Sequence, residues 1–559
     1  MRRVWKQRIA EGGSILEKLM LVRGLAGEND VSRFLDPQYS DCHDPFVLKD
    51  MAAATNRIAS AIKDNEKITV YADYDADAVT AAAVLLRYFE SLGYANVDYY
   101  IPDRFSEGYG MNPDAVKIMH ERGTALVITV DCGINAFESV NAAKALGLDV
   151  IITDHHQLTG GIPNAIAVIN PHRPDDEYPF KHLTGVGVAF KLTQALIFKF
   201  KNQNSKIKVM EGFEKWLLDL VAIGTVADCQ SLLGENRILV KWGMLVMQKS
   251  RWIGLKKLMR LAGIDGAEID SYKIGFIIAP RINAAGRMEH AAAALQLLLT
   301  NDETVAEALA QKLEDLNRLR QQQTERILSE AREQVTLISE HKILLAAGEG
   351  WHKGIVGLVA GKLTEEFHRP VLVMDKTELE ATGSARSVGS FNIIKAISQS
   401  KEILTHYGGH PQAAGFTLRS EHIEVFRKNL LDYAETALSD DDLSPVLLYD
   451  GEIASSQVTV EFIEFISRFE PTGIGNPKPR FRIDDLGVES VSIVGQNGKH
   501  LRLGIAGFGC IGFNLGFWSE KLRAGERIDI ICEPQFNEWK GEKKIQLKIN
   551  DLMPHETSH

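Results

Sequence analysis

Lys67-Ile-Thr-Val-Tyr-Ala-Asp73-Tyr-Asp75-Ala-Asp77-Ala-Val-Thr80 is the stretch that decides the fold. A short run of β-branched and aromatic residues breaks off at a cluster of acids, and a helix-like stretch from Val79 to Leu92 follows. The order returns twice. Ala125-Leu-Val-Ile-Thr-Val130 runs into Asp131 ahead of a helical stretch from Asn135 to Leu146, and Asp149-Val-Ile-Ile-Thr153 runs into Asp154. Strand, acid, helix, repeated, predicts an α/β domain with a parallel sheet and crossover helices. Ligands of such sheets bind beyond the carboxyl ends of the strands, where all three acidic clusters stand.

Outward from this core, 559 residues exceed what one hydrophobic core supports. We read an N-terminal extension over 1–45, the first α/β domain over 46–300, and a connecting long helix over 301–340. The last contains no Gly or Pro, has Asn301-Asp302 as caps, and repeats Val305, Leu309, Leu313, Leu316 and Leu319 at helical spacing. A second α/β domain over 341–440 has strands at Lys342–Ala347 and Pro370–Met374, a helix from about Gly354 to Phe367, and glycine turns at Gly383 and Gly408-Gly409. After a polar linker at Asp440–Pro445, short strands (Leu501–Ile505, Ile528–Cys532, Ile545–Ile549) predict a small β-barrel over 445–559.

The formal charge of -11 argues against a protein that coats nucleic acid by charge alone, but not against an enzyme with a local basic groove and an acidic metal site. No apolar run reaches the roughly 20 residues that span a bilayer, and no hydrophobic core follows the basic N-terminus. The expectation is therefore a cytoplasmic protein without a membrane segment. The five cysteines form no C-x-x-C pair, so neither a zinc ribbon nor a disulfide framework is expected.

Three carboxylates on alternate positions (Asp73, Asp75, Asp77) repel one another unless a counter-cation lies between them. Hard oxygen ligands suit Mg²⁺ or Mn²⁺, and the imidazoles of His155 and His156 shift the preference from Ca²⁺ towards Mn²⁺. Asp131 and Asp228, in Gly224-Thr-Val-Ala-Asp228, complete a shared site for two divalent metal ions. Such a pair activates water against a phosphoester and takes up the charge developing on its oxygens.

Asp73-Tyr-Asp-Ala-Asp77, Asp131, Asp154-His-His156 and Asp228 together resemble the motifs of the DHH phosphoesterases. Pro102-Asp-Arg-Phe-Ser-Glu-Gly-Tyr-Gly110, Pro280-Arg-Ile-Asn-Ala-Ala-Gly-Arg-Met288, Gly408-Gly-His-Pro-Gln-Ala-Ala-Gly415 and Glu470-Pro-Thr-Gly-Ile-Gly-Asn-Pro477 narrow the resemblance to the bacterial RecJ exonucleases, from about residue 30 onward. The resemblance implies a DHH domain, a DHHA1 domain and an OB-fold. It implies 5′→3′ hydrolysis of single-stranded DNA to mononucleotides in recombination and repair. Asp75, Asp77, Asp131, His155 and Asp228 would be metal ligands, with Asp73 completing or neighbouring the first ion. His156 would contact the scissile phosphate, and Gly408-Gly409 would bring His410 to the phosphate from the second domain, with Arg386 nearby.

Arg281 and Arg287 are candidates for the DNA backbone or for ion pairs within the protein. Arg104 and Tyr109 stand open between substrate contact and packing, and Trp539 between base stacking and a place in the core. The lysines around Trp539, with Lys499, His500 and Arg502, suit an OB-fold that tracks a single strand. Two positions depart from the family pattern: Ala78 replaces a usual Gly, which matters only at positive φ, and Cys229 follows Asp228, where a buried small residue is the expectation.

The enzymatic alternative is a DHH phosphodiesterase for short RNA or cyclic dinucleotides. A catalytically dead DNA-binding scaffold is disfavoured because every ligand position is filled. The implied partners are single-stranded DNA, single-strand-binding protein and a helicase, with the chain acting as a monomer. The two α/β domains are expected to flank a groove too narrow for duplex.

Overall fold

The computed structural model describes residues 3–9, 13–202, 210–495, 498–539 and 542–556. The chain forms two compact units. The larger is built from Trp5–Ala279, Leu295–Glu307 and Leu448–His559, and the smaller mainly from Ala308–Leu447 with Pro280–Ala294. Among the described residues, no helix is long and apolar enough to cross a membrane.

The first sheet of the larger unit contains β1 (Ile68–Ala72), β2 (Val97–Tyr100), β3 (Leu126–Val130), β4 (Asp149–Thr153) and β5 (Ala167–Ile169), in the order β2-β1-β3-β4-β5. Every pairing is parallel, as the sequence predicts. Its central strands are buried along their whole length, which is why they read as unbroken apolar runs. Ala72 pairs with Val130, and Val130 with Thr153. The next residue on each strand is therefore an aspartate, and Asp73, Asp131 and Asp154 emerge side by side. Strand order reverses between β1 and β3, the position at which open α/β sheets bind ligands.

On one face of this sheet lie α1 (Ala76–Ser91) and α2 (Gly185–Asn202), with α3 (Leu218–Ala227) packed on α1 and α4 (Gly234–Met247) on α3. α1 is alanine-rich because α3 comes close: a Cβ on Gly224 would lie 2.4 Å from Thr80 Oγ1 and 2.7 Å from Asp77 Oδ1. Ala78 is fully buried within α1 and is not among the positive-φ residues, so its methyl is accommodated.

The Gly- and Pro-free stretch forms α5 (Glu303–Thr336), most of it in the smaller unit and shorter at each end than 301–340. Asp302 caps it by accepting from the Val305 amide (2.9 Å). Ile327, Ala331 and Val335 of this helix are buried against β6 (Leu344–Gly348), β7 (Val371–Lys376) and α6 (Lys353–Phe367). The sheet continues with β8 (Glu380–Arg386), β9 (Leu404–His410) and β10 (Ala413–Arg419) in the order β9-β10-β8-β7-β6, and only β6 and β7 run parallel. The expected glycine turns at Gly383 and Gly408-Gly409 are corrected here: they lie inside β8 and β9. Glycine serves these strands for space and conformation. A Cβ on Gly383 would lie 2.4 Å from the Phe416 ring, and Gly409 has φ +144° with Ala413 O 2.4 Å from where its Cβ would be.

The C-terminal barrel contains β11 (Phe481–Val494), β12 (His500–Ile505), β13 (Phe508–Gly512), β14 (Arg527–Trp539) and β15 (Glu542–Pro554). It closes through pairing of β14 with β11; β13 and β15 run parallel, and so does the two-residue strand Gly451–Glu452 against β11. β14 and β15 are much longer than the sequence runs at Ile528–Cys532 and Ile545–Ile549 suggest, and β11 has no counterpart among those runs, because polar residues alternate with apolar ones on a half-solvated barrel. Leu19, Met20 and Phe34 share the barrel's core.

Arg237 of α4 ties these parts of the larger unit together. Its buried guanidinium donates to the carbonyls of Phe34 (2.8 Å), Phe469 (2.9 Å), Pro471 (3.3 Å) and Arg468 (2.8 Å), and it stacks 3.8 Å from the Phe34 ring centroid. Asn476 Nδ2 also donates to the Phe469 and Pro471 carbonyls (2.8 and 2.6 Å), so removing Arg237 takes the donor from the Phe34 and Arg468 carbonyls, at about 1–3 kcal/mol each, and the cation from the Phe34 ring. Arg237→Met is expected to lower unfolding stability by about 3 kcal/mol or more, measured by urea denaturation followed by circular dichroism. A loss below about 1 kcal/mol would show that water replaces these bonds.

Candidate metal centre

Asp75 caps α1 by accepting from the Asp77 and Ala78 amides (3.0 and 3.1 Å), which points Asp77 inward from the first turn. Asp77 in turn accepts from the amides of Gly185 (2.7 Å) and Val186 (2.9 Å) at the start of α2. The positive end of that helix faces the carboxylate. Asp131 has φ +59°, a left-handed conformation that aspartate tolerates better than most residues, and it turns the side chain back over the sheet edge. Asp228 is the C-cap of α3.

These residues converge on His155. Its Nε2 lies 3.0 Å from Asp131 Oδ1, 3.7 Å from Asp228 Oδ2 and 3.8 Å from Asp77 Oδ2. Two overlapping triads result, Asp131–His155–His156 and Asp77–His155–Asp228, each with ligand atoms close enough to hold one ion. Asp73 Oδ1, Asp131 Oδ1, His155 Nε2 and Asp228 Oδ2 are all buried without a hydrogen-bond partner, although Asp131 Oδ1 and His155 Nε2 stand 3.0 Å apart. Orphaned buried acceptors carry a large desolvation cost. Hard oxygens with one neutral imidazole nitrogen fit Mn²⁺ or Mg²⁺.

The protonation pattern agrees. Burial, reinforced by neighbouring carboxylates, pushes the carboxyl groups of Asp73, Asp77 and Asp131 well above the usual range and Asp228 up to about 7. Burial pushes His155 down to about 3, leaving it neutral and able to ligate. His156 behaves oppositely: burial opposes its charge, but the hydrogen bond and charge of Asp154 outweigh it and raise the imidazole to about 9. Asp154 Oδ1 lies 2.7 Å from His156 Nδ1 and accepts from the His155 and His156 amides, while Oδ2 accepts from the Ile134 amide.

The sequence assigned no role to Asp154, Gly185 or Gly224. A Cβ on Gly185 would lie 2.4 Å from Asp131 Cβ, so glycine is required for α2 to approach the cluster. The run Thr184-Gly-Val-Gly187 was a visible signal of that close approach. Cys229 is corrected: it is exposed, with φ +57°, because α3 ends before it and the chain turns outward.

Tyr109 is exposed and its hydroxyl lies 3.2 Å from His156 Nε2, while Arg104 stacks 4.7 Å from the Tyr74 ring. Lys499, His500, Arg502 and Trp539 belong to the barrel of the larger unit, and the other expected residues to the smaller unit. Arg281 pairs with Glu314 (2.7 Å) and Arg287 donates to the Gly354 carbonyl (3.3 Å). Arg386 bonds Ser384 Oγ (2.9 Å) and the Ala385 carbonyl, and makes no ion pair among the described residues. Gly408, Gly409 and His410 form the exposed end of edge strand β9. Trp539 ends β14, but its side chain, with Lys540 and Gly541, lies outside the described residues.

In the metal-free protein His156 is protonated below about pH 9 and neutral above it. NMR titration is expected to show a histidine with that midpoint, falling towards the ordinary value near 6.5 in Asp154→Asn. A midpoint unmoved by the substitution would remove Asp154 as the cause. Gly185→Ala is expected to weaken Mn²⁺ binding, read by calorimetry, by about tenfold or more, as the displacement of a ligand's support does.

Comparison with known proteins agrees with this architecture. Family models match as the DHH family, N-terminal domain, over residues 67–225, the DHHA1 domain over 340–436 and the RecJ OB domain over 449–551. The single-stranded-DNA-specific exonuclease RecJ of Bacillus subtilis is 40% identical over 96% of this chain and 67% of its own length. That of Haemophilus influenzae is 30% identical over 99% of this chain and 100% of its own. The crystal structure of RecJ in complex with Mn²⁺ from Thermus thermophilus superposes with a TM-score of 0.82 at 29% identity, covering 97% of this chain and 76% of that one. With identity sustained along nearly its whole length, the chain belongs to the RecJ family of single-stranded-DNA-specific exonucleases.

Proposed function

We propose that this chain hydrolyses single-stranded DNA from the 5′ end, releasing mononucleotides, with two divalent ions, Mn²⁺ or Mg²⁺, as cofactors. The observation that carries the reading is the convergence of Asp77, Asp131 and Asp228 on His155 Nε2, with their orphaned acceptor atoms. Asp77, Asp131, His155 and Asp228 hold the ions, with Asp73 and Asp75 beside them. Once bound, the pair supplies an activated water and neutralises charge on the phosphoryl oxygens.

The chain's own groups do the rest. His156, oriented by Asp154, meets a phosphoryl oxygen, and Tyr109 lies within reach of the same imidazole. Arg386, without a carboxylate partner among the described residues, is suited to a phosphate, as are the exposed Gly408-Gly409-His410 backbone and His410 itself. Arg104, Arg281, Arg287 and Trp539 are assigned to the DNA strand. The setting is recombination and repair in the cytoplasm, with single-strand-binding protein and a helicase as partners and the chain acting as a monomer.

The test is digestion of single-stranded DNA labelled at either end, with Mn²⁺ and with EDTA. Immediate release of a labelled mononucleotide from the 5′ end is expected. EDTA should abolish it, and Asp131→Ala should slow it by more than about a hundredfold, beyond the loss typical of outer-shell changes. Release from the 3′ end first would overturn the polarity. Intact DNA with rapid loss of a short RNA would replace the reading by a short-RNA phosphodiesterase.

A further inference from the structure

Beside the Asp228 helix stands a feature that the metal chemistry does not use. Tyr272 and Phe276 are 62% and 71% exposed, yet their rings stack on one another at 4.9 Å between centroids and 23° between planes. Two large aromatics are seldom left in water as an ordered pair without something to cover them.

Their backbone is fixed from three directions. Asp270 caps the short helix Ser271–Lys273 by accepting from the Lys273 amide (2.7 Å), and Ser271 Oγ donates to Glu470 Oε2 (3.0 Å). The chain then widens into a π-turn over Ile274–Ile278, whose inward residues Ile274 and Ile278 are buried. Such turns concentrate at functional sites. At the middle of that turn a Cβ on Gly275 would lie 3.3 Å from Val226 Cγ1, so the turn packs directly on α3, two residues before Asp228. The segment that leaves Asp228 is held in turn by the 470–477 loop, through the Leu232 amide to the Ile474 carbonyl (2.8 Å), and Ile474 is itself 59% exposed.

We propose that Tyr272 and Phe276 form a base-stacking platform that holds the single strand beside the metal centre. The proposal rests on the reading of the substrate as single-stranded DNA. A nucleobase is the occupant that suits an open π surface carried by a turn packed on the helix that ends at Asp228, because every base presents a flat face and stacking is tolerant of sequence. Tyr272 and Phe276 position the strand and make no contact with the reacting atoms.

The test is equilibrium binding of a fluorescein-labelled oligothymidylate by the full chain in EDTA, read by anisotropy, so that no hydrolysis is needed. The Tyr272→Ala/Phe276→Ala double variant is expected to bind about tenfold to a hundredfold more weakly, while Tyr272→Phe binds like the wild type. On an oligomer of abasic sites, wild type and double variant should bind equally. Melting temperature and Mn²⁺ affinity of the double variant should match the wild type. An unchanged Kd on oligothymidylate overturns the platform, and so does an equal loss on abasic DNA. Failure of the wild type to shorten single-stranded DNA counts instead against the exonuclease reading, since the binding result stands without cleavage.

Discussion

Four aspartates gather around one histidine at the sheet edge, and the mutual repulsion of the carboxylates is the constraint around which the larger unit is organised. Other buried acids in this unit have their charge answered by protein groups. Glu235 pairs with Lys191, Asp219 accepts from Ser250 and Trp252, and Glu533 is met by Arg480, Lys548 and Asn550. The acids beyond β1 and β3 receive backbone amides at Asp75 and Asp77 but no lysine or arginine ion pair among the described residues. A cluster maintained in that condition is costly unless binding of a cation offsets the desolvation. Stability and function are therefore coupled through the same atoms.

Backbone geometry explains how so many like charges are brought together without the fold giving way. The parallel register delivers Asp73 and Asp131 on neighbouring strands, with the helix dipole of α2 directed at Asp77. Glycine at 185 and 224 removes the side-chain volume that would hold α2 and α3 away. The left-handed conformation of Asp131 is a local cost of a few kcal/mol at most, tolerated because the surrounding sheet leaves it no alternative.

The parallel sheet was legible because its strands are buried on both faces and end at acids, a pattern that survives without tertiary information. The acidic and histidine residues of the metal centre were legible for the same reason. What the sequence concealed were features set by distance. Gly383 and Gly408 look like turn residues because glycine favours turns, yet here they sit in strands whose partner, Phe416, leaves no space for a Cβ at 383. Cys229 was misplaced as buried because periodicity extends the apolar helix past its true end at Ala227. Tyr272 and Phe276, four apart in an apolar stretch, have the spacing of an ordinary core helix; only their exposure distinguishes them.

The histidine pair shows how little residue identity alone determines. His155 and His156 are adjacent and chemically identical, but one is held near a pKa of about 3 and the other near about 9. The difference lies in Asp154. Its carboxylate sits at the end of β4, accepts the amides of both histidines and reaches only the second ring. His155 is left facing Asp77, Asp131 and Asp228 with its Nε2 lone pair free, which suits a ligand. His156 keeps its proton, which suits a donor to an anion. A single buried aspartate thus sets two neighbouring imidazoles apart, one neutral as a cation ligand has to be and one charged as a partner for an anion has to be.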